Sequence, residues 1–386
     1  MKRSTDRIRT THVGALPWTG ELSEAFRNRR ESPEAFGKLL PGAVIDTVRK
    51  QREVGVDVVN DGEQGKAVWS WYVMNRLGGY EYRPADIGKV LKGEDQMRFA
   101  EFYMDAMQSG LWYGETDALT VEAYSQTPVC TGPVTYDDTE VQRDIANLRA
   151  AVDETGAEEA FLPVAAPASI EFGQENEYYA SQEEYVWALA EALKQEYEAI
   201  AGAGFLVQLD DAWVPALWNA FRPDIDLETY RRYCMMRIEA TNHALSGIPP
   251  EQVRYHACWG SWHGPHASDI PMSELVHLML KVNAGAYLFE AANVRHEHEF
   301  VVWDDVKLPD GKIIVPGVVS HATTILEHPE LVAQRLVRFA ERVGRENVIA
   351  STDCGLGGRV HPQLVWAKLQ AMAEGAEIAS RRLWKA

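Results

Sequence analysis

The sequence predicts an α/β fold, a (β/α)8 TIM barrel with an aromatic-rich helical insertion after the second strand. Three observations carry that prediction. Short β-type runs alternate with longer stretches of helical periodicity almost to the C-terminus, the pattern of a parallel sheet with helices outside. Polar residues gather at the ends of several predicted strands, where barrel enzymes collect their catalytic groups. No GxGxxG follows the first strand and no GxxxxGK(S/T) occurs anywhere, so an open doubly wound sheet lacks its phosphate-binding turn.

Taken in order, the predicted strands are Thr10–Leu16, Val56–Asn60, Val129–Tyr136, Phe161–Ala165, Phe205–Asp210, Val253–Cys258, Ala286–Glu290, Ile313–Ser320 and Val348–Thr352. Helical periodicity covers Ala43–Glu53, Glu140–Asp153, Gln182–Ala201, Leu227–Leu245, Met272–Val282, Glu330–Val343 and Pro362–Leu383. Ser181 and Glu184 open the third of these helices with the spacing of a capping box. Nine strand candidates exceed the eight of a closed barrel, so one of them belongs to a hairpin arm or an edge. Residues 66–126 form the longest interruption, and eleven of the chain's 38 aromatic residues fall there, among them Trp69, Trp71, Tyr72, Trp112 and Tyr113. Such a segment is either a helical excursion packed on the barrel or an aromatic wall over a site. Phe300–Val315, with Leu308, Pro309, Asp310 and Gly311 at its centre, reads as a hairpin. No repeat or linker marks a boundary, and residues 1–386 read as one barrel domain.

Composition narrows the function classes. The chain has 386 residues and a formal net charge of -19, with 25% charged and 46% hydrophobic residues. A surface that acidic disfavours phosphate backbones and anionic membranes. No apolar run approaches the ~18 residues that span a bilayer, and the basic N-terminus lacks an apolar signal core. These features point to a cytoplasmic protein with no nucleic-acid or membrane partner, and leave a homo-oligomer open. Four cysteines are too few for a disulfide scaffold.

The chemistry concentrates in a few strand ends. His256 and Cys258, two residues apart on one strand, project to the same face. Imidazole and thiolate are the usual zinc donors, and catalytic zinc keeps one position open. Cys354 lies at the end of a later strand, and between them comes Glu290 at another. Each is weak by itself; on three strand ends of one barrel they can converge on one metal. Glu63 and Asp210 end two further strands and suit a cationic substrate group or general acid–base work, with solvated loop carboxylates as the bland alternative. The role of Asp211 stays open. His263, His266, His296 and His298 flank the metal strands as supporting or substrate-facing groups or as loop histidines, and their HxxH and HxH spacings leave a different or second metal site open. Cys130 and Cys234 read as buried apolar residues.

Thr10-Thr11-His12-Val13-Gly14, Asp61-Gly62-Glu63, Gln208-Leu209-Asp210, His256-Ala257-Cys258, Glu290, Pro316-Gly317-Val318 and Asp353-Cys354-Gly355-Leu356 stand in one order from residue 10 to residue 359. In these pieces the chain resembles the catalytic barrel of the cobalamin-independent methionine synthases and their single-domain relatives. The resemblance implies zinc held by His256, Cys258, Cys354 and Glu290. It implies an amino-acid acceptor whose ammonium group meets Glu63 and Asp210, near Gly14 and Ala15, and a leaving group assisted by His321. Three features depart from the pattern. The family's serine after the first glycine is Ala15, followed by Pro17-Trp18. Where the family has Gly-Pro-Val-Thr and a tryptophan on which the pterin stacks, this chain has Ala166-Pro167-Ala168-Ser169 and Phe172. A literal Gly132-Pro133-Val134-Thr135 stands one strand earlier.

The expected reaction is therefore zinc-dependent alkylation of a small thiol, foremost by methyl transfer from a donor the sequence does not identify. Related epoxyalkane–coenzyme M transferases open an epoxide with a thiolate, or run the reverse C–S lyase reaction, and give the alternative. A metal-free decarboxylase on a similar barrel and a non-enzymatic zinc-binding protein are the alternatives of other classes.

Overall fold

The computed structural model describes residues 1–29, 31–66, 68–85, 93–109, 125–222, 224–260 and 262–384. Among the described residues eleven strands fall into two sheets. β1 (Arg9–Thr10), β2 (Val58–Asn60), β5 (Glu159–Ala165), β7 (Leu206–Asp211), β8 (Val253–Ala257), β9 (Ala286–Phe289), β10 (Ile313–Val319) and β11 (Ile349–Thr352) form the eight-stranded sheet. Every pair recorded in it is parallel, in the order β1-β11-β10-β9-β8-β7-β5-β2. The ends meet without a regular ladder: the Asp57 amide donates to the Thr10 carbonyl at 3.1 Å, and Thr11 Oγ1 donates to the Val58 carbonyl at 2.9 Å. The predicted (β/α)8 barrel is the fold.

The ninth strand candidate is the hairpin arm. β3 (Leu77–Pro84) pairs antiparallel with β4 (Gln126–Tyr136), and β4 pairs in parallel with the short β6 (Glu175–Asn176). Along its second half β4 alternates exposed and half-buried residues, the signature of a strand covered on one face, whereas barrel strands are buried nearly throughout. The interruption after β2 thus carries this strand besides the helices Glu94–Arg98 and Ala100–Ser109. Trp112 and Tyr113 lie outside the described residues. Arg76 pins the segment to the barrel's helical shell, with Nη1 at 2.5 Å from Glu196 and Nη2 at 2.5 Å from Asp144, all three buried.

The expected hairpin over Phe300–Val315 is only half present. Its turn exists: the Lys312 amide donates to the Pro309 carbonyl at 3.1 Å, and Gly311 sits at φ 82°. The arm before it is helical, Glu297–Val301 as a 3-10 turn and then Val302–Asp305. Val302 and Trp303 are buried consecutively, with Trp303 against Phe289 and Phe300 against Phe339. The arm after the turn is the barrel strand β10.

Local signals elsewhere match their elements. Ser181 caps the helix Gln182–Gly202, its Oγ accepting from the Glu184 amide at 3.1 Å. Among the described residues no helix is long and apolar enough to cross a membrane.

Candidate active site

The C-terminal ends of β1, β2, β7, β8 and β11 and the loops beyond them enclose one pocket. Val13, Ala15, Glu63, Asp210, His256, Cys258, Cys354 and Arg359 line it, together with Trp69, Trp213 and Trp262. Parallel strands all deliver their last residues to the same end, so groups separated by nearly 300 positions meet there.

At its floor, Cys258 Sγ lies 3.6 Å from Cys354 Sγ and 3.5 Å from Glu290 Oε1. His256, Cys258 and Cys354 place one ligand atom each within 4.8 Å of one another. His256 Nδ1 donates to Asp210 Oδ1 at 2.9 Å, and Nε2 is buried without a hydrogen-bond partner. A carboxylate on one ring nitrogen and no protein partner on the other is how a metal-binding histidine is oriented. Three soft or borderline donors and an adjoining carboxylate suit zinc. Without a metal Cys258 is a poor thiolate: the hydrogen bond with Cys354, then burial, pushes its thiol well above the usual range.

Glu290 is braced on both oxygens, accepting from the Trp259 amide on Oε1 at 3.0 Å and from Asn293 Nδ2 on Oε2 at 2.7 Å. Asp353 holds that loop, since its Oδ1 accepts from the amides of Ala291 and Ala292 at 2.7 and 2.8 Å. Glu290, Asp353 and His321 form a second buried cluster with ligand atoms within 4.8 Å, so Glu290 joins the sulfurs to His321. Burial, then the charge of Arg359, lowers the His321 imidazole far below its usual range, and its Nδ1 is buried without a partner.

On the opposite wall stands Glu63, in a left-handed backbone conformation at φ 55° that few non-glycine residues adopt. Asn60 and Asp61 fix that turn through their side chains, accepting from the amides of Gly62 at 2.8 Å and Glu63 at 3.0 Å. Gly14 does not line the pocket; a Cβ there would collide with Glu63 Oε1, so Gly14 makes room for that carboxylate. Ala15 does line it, and its carbonyl accepts from the amides of Leu356 and Gly357 at 3.0 and 2.9 Å. Burial, then the neighbouring Asp210, raises the Glu63 carboxyl to about 8. Asp210 also accepts from Gln208 Nε2 at 2.8 Å.

Strand alternation separates the adjacent aspartates. Asp211 turns away from the pocket, accepts from the Tyr255 hydroxyl at 2.9 Å and the Val214 amide at 3.2 Å, and anchors the helix Trp213–Phe221. His266 and His296 share Asp269, at 3.0 and 3.1 Å, and His296 stacks on Trp259 with ring centroids 4.1 Å apart. They support the Trp259–Glu290 contact. His263 and His298 are exposed, while Cys130 and Cys234 are buried. The residue reading missed Trp213, Trp262 and Arg359. Trp213 stands three residues after Gln208-Leu209-Asp210, Trp262 four after His256-Ala257-Cys258 and Arg359 three after Asp353-Cys354-Gly355-Leu356, so each follows a motif closely.

Residues 112–378 match the family model described as cobalamin-independent synthase, catalytic domain. The chain is 25% identical over 383 residues to a methionine synthase of Thermococcus kodakarensis, covering 97% of this chain and 94% of that one. It is 23% identical over 416 residues to a 2-hydroxypropyl-CoM lyase of Xanthobacter autotrophicus, covering 98% and 96%. Among solved structures, a B12-independent methionine synthase from Shewanella sp. W3-18-1 in complex with selenomethionine superposes with a TM-score of 0.74 at 20% identity, over 98% of this chain and 99% of that one.

Proposed function

Because the chain belongs to the family of cobalamin-independent synthase catalytic domains, we propose that it is a thiol methyltransferase whose His256, Cys258, Cys354 and Glu290 hold zinc. The observation that carries this reading is the pair of buried sulfurs 3.6 Å apart beside the unpartnered Nε2 of His256. Zinc held there supplies a Lewis acid that lowers the pKa of an incoming thiol. The remaining work belongs to the chain's own groups. Asp210 keeps the proton on His256 Nδ1 and leaves Nε2 free as a donor. Glu63 and Asp210 receive an ammonium group, which fixes the acceptor in register with the sulfurs. His321, buried behind Glu290, is a neutral imidazole near pH 7 and serves the leaving group by hydrogen bonding.

Elemental analysis of the purified protein tests the reading. Near one zinc per chain is expected, and the cobalt(II)-substituted protein should change its sulfur-to-cobalt absorption when a small thiol is added. No metal uptake, or a cobalt spectrum indifferent to thiols, would remove it. A second reading has Arg359 in its favour. A guanidinium on the pocket wall suits an anionic thiol of the kind the lyase relative handles.

Glu63→Gln should leave zinc content unchanged and raise KM for an amino-thiol acceptor by roughly tenfold, the scale of a lost charge-assisted hydrogen bond. Its pH dependence follows in sign. In the metal-free protein the Glu63 carboxyl titrates near 8, so ammonium binding strengthens as pH rises through that value and the carboxylate forms. A bound divalent cation draws the same limb to lower pH. In Glu63→Gln the limb disappears from kcat/KM. An unchanged profile would take Glu63 out of the acceptor site.

A further inference from the structure

The pocket that would receive the thiol has another wall, built from three indoles. Trp69 comes from the turn after β2, Trp213 from the helix after β7 and Trp262 from the loop after β8. All three are half-buried, so each keeps part of its surface open to the cavity. Two are held from behind. Trp213 stacks on Phe172, centroids 4.0 Å apart and planes at 29°. Trp262 stacks on His266 at 4.8 Å and 24°, and Asp269 anchors that histidine. Gly260, at φ 92°, permits the fold-back of Trp262, whose ring occupies the place of a Cβ.

In the same pocket Asp210 and Glu63 stand with one guanidinium, Arg359. Electron-rich ring faces beside the Asp210 carboxylate favour a cation, and indole is the strongest of the aromatic partners. A cation with N–H groups is best served by the carboxylates. Indole faces suit one that has none, because methyl groups spread its charge over a surface that carboxylate oxygens cannot hydrogen-bond.

We propose that the methyl donor is a methylated onium compound, a sulfonium or a quaternary ammonium, seated among Trp69, Trp213 and Trp262. This inference rests on the methyltransferase reading and names its donor class. The balance is complete with these reactants alone. A bond forms between the acceptor sulfur and the methyl carbon, and the bond from that carbon to the onium centre breaks with its electron pair staying on the leaving heteroatom. A thiol and an onium ion yield a methyl thioether, a neutral sulfide or tertiary amine, and one proton released to solvent. The leaving group departs neutral and needs no acid.

Binding of choline and of its uncharged carbon isostere, 3,3-dimethylbutan-1-ol, to the metal-loaded full chain tests the inference by calorimetry and tryptophan fluorescence. Choline should bind roughly tenfold more tightly than the isostere. Trp213→Ala should abolish the preference, and Trp213→Phe should retain most of it. Equal affinity of the two probes for the wild type, or a preference unchanged in Trp213→Ala, overturns the proposal. The wild-type comparison decides even if the alanine variant does not fold. Thiol activation is read separately, from the cobalt spectrum, so loss of the donor class and loss of the methyltransferase reading give different results.

Discussion

Cys258→Ser abolishes zinc retention and lowers turnover by about a thousandfold or more, because the substitution removes a donor that no neighbour replaces. Cys258 Sγ touches both Cys354 Sγ and Glu290 Oε1, so it is the sulfur through which the two buried clusters communicate. A hydroxyl in its place keeps its proton at any accessible pH and binds zinc poorly. The loss is chemical rather than structural: serine replaces cysteine with little change in volume, so circular dichroism and urea unfolding should stay close to wild type. Cys234, equally buried but in the helix Leu227–Ala244, is the internal control, and its serine variant should keep its zinc. Elemental analysis, a chelator competition and single-turnover rates on both variants measure the contrast. Full zinc content with full activity in Cys258→Ser would end the zinc-thiolate mechanism.

The sequence was most informative where chemistry and strand ends coincide. His256 and Cys258 declare a shared face through their two-residue spacing, and Cys354 and Glu290 follow from standing just beyond the ends of apolar strands. In the same way the surplus strand candidate could be foreseen. Which candidate it was could not, because Val129–Tyr136 has the β-rich composition of a barrel strand and only its exposed alternation, visible once its partner β3 is known, sets it apart. Phe300–Val315 misled for a related reason: β-branched and aromatic residues gave it strand propensity, while the arm before its turn is helical. The indole wall was legible only in part. Trp69 stands out in an aromatic-rich segment, but Trp213 and Trp262 come from separate loops with no common spacing, and only the closed barrel brings them to one cavity. Asp210 and Asp211 illustrate the converse. Adjacent in sequence, they are sent apart by strand alternation, one to the pocket and one to Tyr255 and the start of a helix.

Asp210→Asn is expected to affect two measurements that Glu63→Gln separates. Asp210 Oδ1 accepts from both His256 Nδ1 and Gln208 Nε2. As a carboxylate it can only accept, which puts the imidazole proton on Nδ1 and raises the basicity of Nε2. An asparagine oxygen can occupy the same place and keep both hydrogen bonds, but without the negative charge. Zinc affinity should therefore fall by about 10–100-fold, the range for losing such an outer partner, rather than vanish. The same lost charge weakens the ammonium site, so KM for an amino-thiol acceptor should rise together with the zinc dissociation constant. Glu63→Gln changes the KM alone, because Glu63 bonds to none of the zinc donors among the described contacts. Measuring both constants in both variants turns the shared role of Asp210 into a pattern of results. Zinc affinity within twofold of wild type in Asp210→Asn would mean that His256 does not present Nε2 to a metal, whatever the two cysteines do.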